Sequence, residues 1–306
     1  MEPYRQPAEK SAPVPNQAPT IPATPLRRQF NPWLRLALLW TLIVVAFGAL
    51  YLITRDGPVP IPGHALAISL LVIVVFYAGL LWFYRNKALA LAQQNNDGIL
   101  LLNSGRLDEA IRLYSDLYRR AGRMHSLRAL FVTNLGIAHL RRGEPEKAME
   151  YFDVAYRSGW LSRQKLLANQ AALLLSMGTA RLALGDPTGA KRWLDQAAGH
   201  VSAARRALTL PLEASTLAFE GRFDDAAKTT AERWSEAEAL LPGFSMRLLR
   251  LLRAYVLTSG TRAEESAKEV DQLLAGARPT SPGEFDYIAR SWPGFAAFLK
   301  SHGFAA

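Results

Sequence analysis

No cysteine occurs anywhere in the 306 residues. A disulfide framework and any thiolate metal centre are therefore excluded, although the absence does not decide between a reducing compartment and an exported chain. Histidine is scarce as well: His64, His125, His139, His200 and His302 are scattered, and no His-Glu-x-x-His pair is among them. A phosphate-binding Gly loop ending in Lys-Ser or Lys-Thr is missing, and so is a dinucleotide Gly fingerprint. Ser162 and Lys165 stand at Ser-x-x-Lys spacing, but nothing nearby completes a nucleophilic site. Asp224 and Asp225 fall in the first turn of a predicted helix, where the helix dipole accounts for them. The expectation is a non-enzyme, with no catalytic residue, no metal and no cofactor.

Acidic charge is also in deficit, 26 Asp and Glu against 36 Lys and Arg. The imbalance is local. Residues 85–165 hold 14 basic and 8 acidic side chains, a net of +6, whereas 166–306 hold 16 and 15, a net of +1. No nucleic-acid motif or aromatic-interleaved basic patch accompanies the excess, so nucleic acid is not an expected partner. Two readings stay open for it: a solvated helix face, or attraction to anionic lipid headgroups.

What is present begins with a proline-rich tail. Residues 1–32 carry eight of the 18 prolines and few large apolar side chains, too little buried surface to offset ordering entropy, so the tail reads as disordered. Two charge-free runs follow, Leu36 to Thr54 and Ala65 to Tyr84, of 19 and 20 residues. At about 1.5 Å rise per residue each covers the hydrocarbon core of a bilayer. Trp33, Tyr51, Trp82 and Tyr84 sit at the run ends, where amphipathic rings favour the headgroup level. With the short linker RDGPVPIPG between them, residues 33–84 read as a transmembrane hairpin, 36–54 and 65–84. Arg27, Arg28, Arg35, Arg85 and Lys87 flank its outer ends, so the positive-inside rule places both termini in the cytoplasm. Only Gly79 and Gly98 interrupt good helix formers from Ala65 to Asn103, and the second span is expected to run on into the next domain.

The rest is repetitive. GRLDEA starts at Gly105, GEPEKA at Gly143, GDPTGA at Gly185 and GRFDDA at Gly221, with a decayed GTRAEE at Gly260; the starts are 38, 42, 36 and 39 residues apart. Four of these share Ala five residues after Gly: Ala110, Ala148, Ala190 and Ala226. A near-regular period in this range means stacked supersecondary units. Each unit reads as two amphipathic helices joined at the Gly turn. In the second unit Leu135, Gly136, Gly143, Ala148, Phe152 and Ala155 mark the packing seam, with His139 at one further position.

That pattern resembles the tetratricopeptide repeat, in which small and aromatic residues at these offsets define a helix pair and His139 occupies a seat usually aromatic. The resemblance covers about residues 88–275, the periods exceed the family's, and other helical-hairpin repeats are the alternative. It implies an all-α chain: the hairpin, then a right-handed α-solenoid of four to five pairs over 85–276, then a capping segment over 277–306. The aromatics of that last segment, Phe285, Tyr287, Trp292, Phe295, Phe298 and Phe304, are expected to cover the open seam of the fifth pair; docking on another protein is the alternative.

In the family the first helix of each pair lines a concave face that holds a peptide or partner protein. The corresponding residues are Asn95, Asn96 and Ile99; Thr133, Asn134 and Ile137; Ser176 and Thr179; Ser215 and Phe219. The family's carboxylate clamp is not expected, because of its polar positions only Asn134 matches, while Asn95, Ala172 and Ser176 stand where basic residues would be needed. The implied function is a membrane-anchored interaction scaffold with a cytoplasmic solenoid. The alternatives are an extracytoplasmic factor assisting envelope proteins, and an accessory subunit of a channel or transporter.

Overall fold

The computed structural model describes residue 43 and residues 63–162, 167–260, 266–281 and 283–306. The proline-rich tail over 1–32 and, apart from residue 43, the first apolar run over 36–54 lie outside the described residues. Among the described residues the chain is helical throughout, with no strand.

The first helix, α1, runs unbroken from Gly63 to Asn103, 41 residues and about 61 Å at the standard rise. From Leu71 to Ala90 no side chain is buried. Phe76 and Trp82 are 65% and 66% exposed, and Leu71, Val72, Val75 and Phe83 also face outward. Leu91 is the first described side chain to be fully covered, so the solenoid begins there, on the same helix. Among the described residues α1 is the one helix long and apolar enough to cross a membrane.

Antiparallel helix pairs follow. The second half of α1 pairs with α2 (Leu107–Ala121), α3 (His125–Arg141) with α4 (Pro145–Ser158), and α5 (Leu167–Ala183) with α6 (Pro187–Ala198). A 3₁₀ stretch over Ala203–Thr209 leads into α7 (Leu210–Phe219), which pairs with α8 (Phe223–Glu232). A short α9 (Trp234–Leu240) then precedes α10 (Gly243–Ser259) and α11 (Ala267–Gly276).

The turns within the first four pairs share one construction. Gly105, Gly143, Gly185 and Gly221 all take left-handed φ, between 73° and 80°. In each, the glycine N–H bonds the carbonyl three residues back and the next N–H bonds the carbonyl five back, as in Gly143 N to Leu140 O at 2.9 Å and Glu144 N to His139 O at 3.0 Å. This terminates the first helix while satisfying its last carbonyls, and a Cβ would strain it. Gly260, in the decayed fifth copy, is instead extended, with φ −85° and ψ −178°.

Within pairs, glycine sets the spacing. A Cβ built at Gly136 would lie 2.5 Å from the fully buried Phe152 ring and 3.2 Å from the Ala148 carbonyl; at Gly98 it would lie 2.5 Å from the Tyr114 ring. Gly178 meets Leu212 of α7 and the Ala190 carbonyl in the same way. His139 has no exposed surface; it stacks on Tyr151 at 5.0 Å and bonds Glu144 through Nδ1 at 2.7 Å, filling the aromatic seat. Burial lowers its pKa, partly offset by the Glu144 hydrogen bond.

The C-terminal segment contains α12 (Asp286–Ala289) and α13 (Pro293–Ser301). Trp292, Phe295 and Phe298 surround Tyr255 of α10 at ring separations of 5.3 to 5.4 Å, and Phe285 stacks on Phe244 at 5.6 Å. The same segment also reaches back to the glycine-turn edge of the first three pairs. Thr280 Oγ1 donates to the Asn103 carbonyl at 3.2 Å, Arg290 to the Gly143 carbonyl and Glu146 at 3.0 Å each, and Ser291 Oγ to the Ala183 carbonyl at 2.8 Å. One edge of the superhelix is thereby closed from its last pair to its first.

Candidate partner-binding groove

The first helices of the pairs curve around a groove of about 910 Å³. Its walls come from α1, α3, α5, the 3₁₀ stretch, α7 and α10, with Tyr287 of α12 at the closed edge. Apolar side chains dominate, among them Ile99, Ile137, Leu175, Leu208, Leu212 and Leu248. Such a surface follows from the fold: each first helix turns one face into its own pair and the next face toward the superhelix interior, and the interior face here is apolar.

The ten residues assigned to the concave face divide in two. Ile99, Asn134, Ile137, Ser176 and Thr179 line the groove. Asn95, Asn96, Thr133, Ser215 and Phe219 are not part of its wall. Thr133 and Ser215 are buried and give their hydroxyls to carbonyls of their own helices, Ala129 at 2.9 Å and Pro211 at 2.6 Å. Phe219 packs on Trp292, beneath the C-terminal segment. Asn96 is exposed outside the groove. Asn95 is buried and accepts a hydrogen bond from Asn134 Nδ2 at 2.7 Å, while its backbone carbonyl accepts one from Tyr114 at 3.3 Å. One Asn134 N–H is thus taken by Asn95, which orients the rest of the amide in the groove wall.

Arg205 and Arg141 are the charged side chains of the wall absent from the sequence analysis, and Arg141 is the one held against an aromatic ring. It lines the groove, donates Nη1 to the Leu102 carbonyl at 3.0 Å and places its guanidinium carbon 3.6 Å from the centre of the Phe244 ring. Among the described residues no carboxylate pairs with it; the nearby Glu284 is taken by Arg247. Burial lowers the Arg141 pKa, and Tyr287 and Glu284 counter that. Burial likewise pushes the Tyr287 hydroxyl up to about 12, moderated by Arg141. Arg141 was within reach of the sequence pattern, since 134, 137 and 141 form one helical stripe. Tyr287 was not, because only the fold-back of the C-terminal segment brings it there, and Phe244 enters from the first turn of α10, on a pair distant in sequence. Among the described residues no cluster of three His, Asp or Glu side chains could hold a metal ion.

A tetratricopeptide repeat family model matches residues 95–162, the stretch from the second half of α1 through α4. That stretch is similar to tetratricopeptide repeats, and repeats of that family generally mediate protein–protein interaction as non-enzymatic scaffolds. No curated protein and no solved structure matches the chain.

Proposed function

We propose that the protein is a membrane-anchored interaction scaffold whose groove holds a segment of a partner protein. The carrying observation is the groove itself: a largely apolar channel walled by the first helices of the pairs, with Arg141 and Arg205 supplying guanidinium donors in its wall. Apolar walls suit an apolar peptide or helix face, and the guanidinium suits a carbonyl or carboxylate on it. The exposed apolar half of α1 and the charge-free run before it supply the anchor, and the basic residues at their outer ends favour a cytoplasmic solenoid. Site-specific photocrosslinkers placed in intact membranes at Ile137 and Ser176, inside the groove, and at Arg112 and Lys191, on exposed second helices, test the reading. A shared crosslinked partner from the groove positions and none from the outer ones is expected. Equal crosslinking from all four, or crosslinks confined to the outer pair, would overturn it.

A further inference from the structure

The two rims of the solenoid differ. The glycine turns at 105, 143 and 185 lie on one rim, bound by the C-terminal segment. The turns between pairs lie on the other. For the first pair, the side of that other rim is set by α1. Because α2 runs antiparallel to α1, its C-terminal end returns toward the apolar half of the anchor helix: Arg120 Nη1 donates to Gln94 Oε1 at 2.8 Å, ten residues, or about 15 Å, beyond Tyr84. The α2–α3 turn follows three residues after Arg120, at Arg123.

Basic side chains gather there. Arg85 and Lys87 on α1, Arg119 and Arg120 at the end of α2, Arg123 in the turn and Arg128 on α3 stand against two carboxylates: Asp97, three residues along α1 from Gln94, and Asp116, which Arg119 and Arg120 share at 3.6 and 3.2 Å. Arg128 is engaged with Tyr118 and the Gly122 carbonyl. Arg85, Lys87 and Arg123 are exposed and make no ion pair among the described residues. On the proposed anchoring of α1, Arg85 and Lys87 directly follow the last apolar turn, and the end of α2 faces α1 about 15 Å further on.

We infer that this rim of the first pair is a lipid-reading foot, which gathers anionic headgroups beneath the solenoid. The inference rests on the anchor reading, and it concerns charge recognition rather than insertion. Phosphodiester headgroups take the free donors of Arg85, Lys87 and Arg123, and the remaining arginines add field; such contacts weaken as salt shortens the Debye length.

The test uses the full chain in mixed phosphatidylcholine and phosphatidylglycerol bilayers, with a donor dye on a single cysteine at Ser126, in the first turn of α3. Energy transfer is read to phosphatidylglycerol or phosphatidylcholine carrying the same acyl-chain acceptor. Transfer to the anionic lipid should exceed transfer to the zwitterionic one by at least about two-fold. It should fall toward parity when salt rises from about 0.15 M to about 1 M, which shortens the Debye length from about 8 to 3 Å. The combined variant Lys87→Glu, Arg119→Glu, Arg123→Glu should abolish the preference without lowering the melting temperature, since these side chains are exposed. Equal transfer to both lipids, or a preference that survives the charge reversal, overturns the foot. A chain that fails to float with either bilayer overturns the anchor itself, a separately visible result.

Discussion

At the scale of single residues, close approach rather than charge holds the repeats together. Gly136 is a helix-interior glycine, which ordinarily costs stability relative to alanine. Here the position has no room for a methyl group: the Phe152 ring and the Ala148 backbone carbonyl occupy the space, and Phe152 is fully buried. Overpacking of this kind costs about 1–3 kcal/mol, more than the gain in helix propensity. Gly136→Ala is therefore expected to lower the melting temperature of the solenoid. Gly79→Ala, where a Cβ meets nothing within 4 Å, should leave it unchanged or slightly raised. Equal melting temperatures for Gly136→Ala and the parent chain would show that the α3–α4 seam is looser than described.

At the scale of elements, the C-terminal segment is attached twice. Its aromatics bury against α10, and its polar side chains bind the glycine-turn edge of the first three pairs. Phe285, Trp292, Phe295 and Phe298 are each under a tenth exposed. At about 1.5–3 kcal/mol per buried large apolar side chain, removing the chain from Arg278 onward should cost several kcal/mol. Thermal unfolding followed by circular dichroism should shift to lower temperature, and the first three pairs should gain hydrogen exchange at their turn edge. Unchanged melting and exchange would mean that the segment contributes nothing in cis.

The repeat punctuation was legible because each turn needs one residue type: glycine for a left-handed φ, at four positions. The seam at Gly136, Ala148 and Phe152 was legible for the same reason, since close approach restricts side-chain size. The groove was half legible. Ile137 and Thr179 followed from helical period, but Thr133 and Ser215 sit one step round their helices, where burial and a bond to the helix's own carbonyl replace any ligand. The contribution of Tyr287 depends on a chain reversal, and that of Phe244 on the curvature that brings α10 opposite α3; no local pattern encodes either.

At the scale of the whole molecule, α1 has two roles. Its first half is the proposed anchor, and its second half is the opening helix of the solenoid; no break separates them from Gly63 to Asn103. If that holds in a bilayer, the solenoid stands at a set angle, its basic rim toward the headgroups and its C-terminal latch away from them. The groove then meets partners from a defined direction. A hinge near Arg85 would remove all of this while leaving the repeats intact. The absence of cysteine makes a direct measurement simple, because two introduced cysteines carry the only labels. Spin labels at Leu81, on the exposed apolar half of α1, and at Lys191, exposed on α6, report the joint through double electron–electron resonance in nanodiscs. A single narrow distance distribution is predicted, whereas a broad one would contradict the continuous helix and, with it, the fixed placement of the groove.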